Sequence, residues 1–426
     1  MTRIDSVDAW EVLDSRGDPT VRARVEAGGA SGTFTVPSGA STGAHEAVER
    51  RDEGTRFRGR GVRDAVLAVR NELAEIVEER PVTTQEAIDA ALVEADGTEN
   101  LSRVGANAVL AVSGAVAHAA ADVRGEPLYE SLATVADRDG PGDLPLPMVN
   151  ILSGGLHAEG GIEVQDFLVV PVGADSYREA LETVWDVRVA VRDRIVDAGH
   201  RPLVADEGGF SPPLGSIDDA FELLLDGVVD AGYEPGAEVA FAVDVAASHF
   251  YEGGEYRLES LDRTLETEGM VDLVAGWVEQ YPVVSVEDPL AEDDWPAWEA
   301  LADRLADEVQ LLGDDLLVTN VDRVGRAIDS GAANSVLVKP NQAGTITRAV
   351  EVVEIARDAG WATVVSARSG ETCDSTIADL AVGLDAGQIK IGSLARSERL
   401  AKYNRLLEID REELGFAGAD ALASDG

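Results

Sequence analysis

From residue 238 onward, short apolar runs alternate with helical patterns at near-regular spacing, and this constrains the fold more than anything else in the chain. The runs cover 238–243, 282–286, 309–313, 335–338, 362–366 and 387–391. Short runs dominated by apolar residues in this way suit strands covered on both faces. Repeated βα units of this kind predict a parallel sheet, and so many of them favour closure into a TIM-like α/β barrel. An open doubly wound sheet is the alternative, but no Gly-x-Gly-x-x-Gly motif follows a first strand.

Almost every run finishes in a charged or polar residue. Ala-Phe-Ala-Val ends at Asp244, Val-Val-Ser-Val at Glu287, and Leu-Leu-Gly at Asp314. Lys339, the Arg368-Ser369 pair and Lys390 follow, at successive intervals of 43, 27, 25, 29 and 22 residues from Asp244. In a barrel these positions gather at the C-terminal mouth, where such folds place active sites. Three carboxylates meeting there repel one another, so a hard cation is the natural resident. Oxygen ligation without histidine or thiolate suits Mg²⁺, with Mn²⁺ as the alternative.

The lysines sharpen this. The chain has 35 lysines and arginines together, only three of them lysine: Lys339, Lys390 and Lys402. Arginine serves equally as a surface charge but stays protonated, whereas a desolvated lysine can lose its proton. Two of the three stand at strand ends. The rest of the composition speaks of environment: a net charge of −45 is tolerable where salt shortens the Debye length to about 3 Å. Acid excess with lysine depletion implies a salt-rich cytoplasm. It also argues against nucleic acid or anionic membrane as a partner, since no basic stripe is visible. The weakly polar stretch 104–121 reads as a buried helix of small residues, and the amino-terminal residues lack the apolar core of a signal peptide.

Upstream, 4–13, 20–26 and 31–36 read as a β-meander with a Gly28-Gly29 turn, and helical patterns follow at 61–79, 84–95 and 104–123. The Pro- and Gly-bearing stretch 139–147 marks the expected boundary between an α+β capping (lid) domain, 1–138, and the barrel domain, 139–426. Three further places are candidates. Asp166 lies inside an apolar run, where an acid needs a partner. Glu207 sits on a glycine-rich turn, and Pro37-Ser-Gly-Ala-Ser41-Thr-Gly reads either as a plain loop or as a mobile lid or phosphate loop.

Taken in order, the chain resembles the enolase family over nearly its whole length. The matching stretches are Glu11-Val-Leu-Asp-Ser-Arg-Gly-Asp-Pro-Thr-Val, Pro37-Ser-Gly-Ala-Ser-Thr-Gly, Asp206-Glu-Gly-Gly-Phe and Val283-Val-Ser-Val-Glu-Asp-Pro-Leu. Gly313-Asp-Asp-Leu-Leu-Val-Thr-Asn, Val338-Lys-Pro-Asn-Gln, Arg368-Ser-Gly-Glu-Thr and Gly387-Gln-Ile-Lys-Ile-Gly-Ser continue the series. The resemblance implies reversible dehydration of 2-phosphoglycerate to phosphoenolpyruvate with two Mg²⁺ per site, in a cytoplasmic homodimer or higher assembly of dimers. It implies Asp244, Glu287 and Asp314 as ligands of the first metal and Ser41 as a ligand of the second. Lys339 would be the base and Glu207 the acid, with Asp166 beside it. Arg368 and Ser369 would hold phosphate and Lys390 the carboxylate, with His157, Gln165, Glu287 and Asp314 also lining the substrate. A base flanked by cations is expected to have a depressed pKa.

Two positions depart from the family pattern. Ala367 stands where the family usually has histidine, and Asp166 where it usually has glutamate. They leave open a superfamily enzyme acting on another carboxylate, or a non-catalytic protein of the same fold.

Overall fold

The computed structural model describes residues 1–39, 43–158 and 162–423. Its N-terminal part is built on the antiparallel meander β1 (Ser6–Leu13), β2 (Pro19–Ala27) and β3 (Ala30–Thr35). Gly28 and Gly29 join β2 to β3 with φ of 59° and 89°, the left-handed pair that a two-residue hairpin of the right twist requires. Along β2, Val21, Ala23, Val25 and Ala27 are fully buried while Arg24 and Glu26 face solvent, so one face of the sheet is free to pack.

That face receives the helix Ala106–Arg124. By length and apolarity this helix could cross a membrane, but 83% of its apolar window is buried inside the protein. Its small residues allow close approach to the sheet. A methyl group on Gly32 would lie 2.1 Å from the Ala115 carbonyl oxygen, and one on Gly114 would lie 2.4 Å from the Phe34 ring. The stretch 61–79 forms two α-helical pieces, Arg63–Ala68 and Ala74–Val77, joined by a π-helical turn at Val69–Leu73.

The remaining chain closes an eight-stranded barrel in which the C-terminal half supplies most of the staves. In chain order these are β4 (Leu146–Ser153), β5 (Asp166–Val170) and β6 (Ala240–Asp244). A small outer sheet follows, β7 (Tyr251–Glu252), β8 (Glu255–Leu258) and β9 (Arg263–Leu265). The barrel then resumes with β10 (Val283–Glu287), β11 (Gln310–Gly313), β12 (Ser335–Val338), β13 (Ala362–Ser366) and β14 (Gly387–Lys390). It closes in the order β10-β11-β12-β13-β14-β4-β5-β6.

The expectation of an all-parallel sheet needs correction at one strand, because β5 runs antiparallel to both β4 and β6. The reason is local. Only residues 154–165 separate β4 from β5, and a connection that short, with only a single 3-10 turn at Gly155–His157 among its described residues, returns the chain antiparallel. The barrel interior is packed by Met148, Leu168, Ala242, Leu312, Leu337 and Val364. At its lower end the Ala421 carbonyl accepts a hydrogen bond from Gln388 at 2.7 Å, and Leu422 packs against the same interior cluster.

The helix-on-sheet contact predicts an asymmetry between glycines. Gly32→Ala should destabilise the protein by about 2 kcal/mol, since backbone atoms must move to admit the methyl group. Gly276→Ala, on the helix Thr267–Gln280 with nothing within 4 Å of the added carbon, should be neutral or stabilising by up to about 1 kcal/mol. Denaturant unfolding of the two variants checks this.

Candidate active site

Strand alternation places the site. Side chains two residues apart on a strand share a face, so each interior packing residue points to the group one step closer to the mouth. From Ala242 that step reaches Asp244, from Leu312 Asp314, and from Leu337 Lys339. On the reversed strand β5 the step from Leu168 runs backward to Asp166, and on β4 Met148 leads to Asn150. The barrel mouth is therefore lined by charge because its floor is lined by hydrocarbon.

At the centre stands Lys390. Its buried ammonium donates to Asp244 Oδ2 at 2.7 Å and Glu287 Oε2 at 2.6 Å, on the neighbouring strands β6 and β10. Burial alone would lower the Lys390 pKa, but these carboxylates push it well above the ordinary lysine value. Gln165 donates to the same Asp244 oxygen at 3.2 Å. Glu287 is raised well above the usual carboxyl range by burial and by the Asp244 charge beside it.

Lys339 faces Asp314, with which it is ion-paired, and its backbone N–H donates to Thr319 Oγ1 at 2.8 Å. The expected depression of its pKa is not what the described residues produce. Burial and the Arg368 and Lys390 charges lower it, but Asp314 and Glu287 outweigh them and the ammonium is favoured. Arg368 is held bidentately by Glu46, at 3.0 and 3.1 Å, and donates to Asn341 Oδ1 at 3.1 Å. Ser369 follows it on the same loop and is also buried. Ser41 lies outside the described residues.

A second group sits to one side. Asp166 accepts hydrogen bonds from Ser153 Oγ at 2.8 Å and from Asn150, and it pairs with His157 Nδ1 at 2.9 Å. His157 Nε2 and Arg399 Nη1 both approach Glu207 Oε1 to 3.9 Å. Burial would lower the His157 imidazole, but the Asp166 and Glu207 charges reverse this and raise it to about 9. Burial likewise pushes Glu207 up, while Arg399 and His157 bring it below the usual carboxyl range. Ala367 is buried at the end of β13, its N–H donating to the Lys390 carbonyl at 2.9 Å.

Several participants escaped the sequence reading. Glu46, Gln342, Asn150, Ser153 and Arg399 all touch the residues above. Gln342 donates to Asp314 Oδ1 at 2.9 Å and to Glu46 Oε1 at 3.2 Å. Asn150 was reachable by counting two residues along β4, whereas Glu46 and Arg399 are brought in by loop and helix packing that no local pattern announces. Asp288 and Asp315 join Asp314 in a tight acidic group. Asp288 has a distinct task, accepting the backbone N–H groups of Asp314 and Asp315 at 3.0 and 2.6 Å.

A divalent cation fits this donor set. The Asp244 and Glu287 oxygens that converge do so on the Lys390 ammonium, Asp314 lies close enough to perturb both Glu287 and Lys339, and the buried Glu287 Oε1 has no hydrogen-bond partner among the described residues. All are hard oxygen donors, as Mg²⁺ prefers.

Comparison with known proteins gives a consistent picture. The enolase N-terminal domain model matches residues 4–132 and the enolase C-terminal TIM barrel domain model matches 142–423. An enolase of Rubrobacter xylanophilus is 51% identical over 421 residues, covering 98% of this chain and 96% of that protein.

The His157 environment yields a pH prediction. In metal-free protein the imidazole should titrate near 9, and Asp166→Asn should bring it down toward the ordinary value of 6.5. Because the folded pKa is raised, the associated stability is fully present below about pH 6.5 and is lost as pH rises through about 9. NMR titration of the His157 ring together with unfolding curves across that window checks both statements.

Proposed function

The chain belongs to the enolase family, and from that premise we propose how its residues divide the reversible dehydration of 2-phospho-D-glycerate to phosphoenolpyruvate. The observation that carries the assignment is the meeting of Lys339 and Lys390 with Asp244, Glu287 and Asp314 at one barrel mouth. A proton beside a carboxylate is weakly acidic, so its removal needs a base and several fixed positive charges. Lys339 is the base, as enolase-superfamily sites pair a lysine or histidine base with magnesium. Lys390 need only stay charged, and two buried carboxylates ensure that it does.

Arg368 and Ser369 hold the phosphate, Glu46 keeping the guanidinium plane oriented. Glu207 assists departure of the hydroxyl, with Asp166 and His157 fixing the side of the site from which it acts. Gln165 is oriented by Asp244 toward the same space. Two Mg²⁺ belong to this reading, one held by Asp244, Glu287 and Asp314 and one by Ser41. When bound they supply positive charge against the substrate carboxylate and phosphate.

The division into 1–138 and 139–426 is part of the same proposal, and the family-model ranges on either side of the join support it. A homodimer or higher assembly of dimers in a salt-rich cytoplasm completes it. The exposed apolar side chains Leu13 and Leu203 support the assembly, and Arg396 links their neighbourhoods by donating to the carbonyls of Ser15 and Ala205. Light scattering should give a mass of at least two chains.

Purified protein in high KCl with Mg²⁺ should form phosphoenolpyruvate from 2-phosphoglycerate, and chelation by EDTA should abolish the activity. Lys339→Ala should lower kcat by roughly 10²–10⁴-fold with an unchanged circular dichroism spectrum. Absence of turnover in the unaltered protein would overturn the reading, and a near-normal rate in Lys339→Ala would show that the base is another group.

A further inference from the structure

Lys402, the third lysine, stands at no strand end and plays no part in the chemistry above, yet it is among the most deeply buried side chains in the protein, 1% exposed. Its ammonium donates to Glu371 Oε2 and to the Thr372 carbonyl, both at 2.6 Å. Glu371 is itself buried, and its carboxylate is the hub of the loop that follows β13. One oxygen accepts the Arg368 backbone N–H at 3.2 Å, and the other accepts that of Thr372 at 3.0 Å.

The helix Ser397–Ile409 carries a second grip three residues earlier on the same face. Arg399 donates to the Ser369 carbonyl at 2.7 Å and to the Ile391 carbonyl at 3.0 Å. Arg399 and Lys402 thus hold the main chain of the loop that presents Arg368 and Ser369.

We infer that Lys402, acting through Glu371, is a positioning residue for the anion-binding loop: the buried pair sets the backbone of Arg368 and thereby the affinity for the phosphorylated substrate. Cost and chemistry support this. A buried carboxylate is expensive unless paired, and removing one partner leaves the other charge uncompensated. The site offers two acceptors at short range in a closed space, which suits a compact ammonium better than the planar fork of arginine. In a chain that uses arginine for nearly every other cation, lysine remains here because the space admits a point charge. The inference rests on the assignment of Arg368 to the phosphate group.

The test is a double-mutant cycle on binding, made in the full-length Lys339→Ala protein so that turnover does not interfere. The dissociation constant of 2-phosphoglycerate is measured by calorimetry in the presence of Mg²⁺. Lys402→Met should weaken binding roughly ten-fold, the scale on which small misplacements act. Combined with Arg368→Ala it should add less than about two-fold, as coupled residues do. Should Lys402→Met alone fail to fold, Glu371→Gln/Lys402→Met, which removes both charges together, carries the same cycle. An equal loss in both Arg368 backgrounds, or no loss in either, overturns the role of Lys402 while leaving the Arg368 assignment intact. If Arg368→Ala itself leaves the affinity unchanged, the phosphate assignment fails and the inference falls with it.

Discussion

Charge neutralisation at the barrel mouth is the constraint from which the rest follows. Asp244, Glu287, Asp314 and Asp166 arrive there together at the ends of adjacent barrel strands, and Glu207 joins them from a turn. Left to themselves, so many buried carboxylates would take up protons instead of staying ionised. Lys390 between Asp244 and Glu287, Lys339 against Asp314, and Arg399 and His157 beside Glu207 answer this residue by residue. The balance is incomplete: Glu287 remains raised despite Lys390. Burial is the first cause of that rise, and on the proposed assignment a divalent ion held here would add positive charge that favours the ionised carboxylates.

Legibility in the sequence followed the range of the interactions. The six barrel strands β6 and β10–β14 were readable because burial on both faces makes each a short apolar run, and the residue ending each run marked the mouth; the outer strands β7–β9 were not read. The antiparallel course of β5 was not readable, since it depends on how a short connection folds back and not on any property of Asp166–Val170 itself. Asp166 was flagged by the cost of an acid in an apolar run, but its partners Asn150 and Ser153 carry no such mark. Glu46 illustrates the limit. It reaches Arg368 across 322 positions of sequence, and only the packing of the N-terminal part onto the barrel brings the two together.

The three lysines then separate by what surrounds them. Lys339 has one carboxylate directly at its ammonium, Lys390 has two, and Lys402 has a carboxylate and a carbonyl. An ammonium held by two carboxylates is fixed as a charge, whereas one held by a single carboxylate depends on that partner staying available. Asp314 is the partner most open to competition, because Gln342 and the Asp288 and Asp315 group bear on the same carboxylate or its backbone. On the proposed assignment, proton exchange at Lys339 is therefore sensitive to what binds at Asp314, while Lys390, whose charge also reaches Asp314, keeps two carboxylates of its own.

The same distinction explains how a chain with a net charge of −45 holds an ordered site. Exposed pairs such as Arg194 with Asp226 and Asp230 contribute little and are weakened by salt. Buried pairs such as Lys402 with Glu371 lie beyond the reach of counterions, so salt leaves them nearly unchanged. Raising the ionic strength thus relieves repulsion among surface acids without loosening the interior contacts that position Arg368, Lys339 and Lys390. Stability and site geometry respond to different charges, and salt acts on the first while sparing the second.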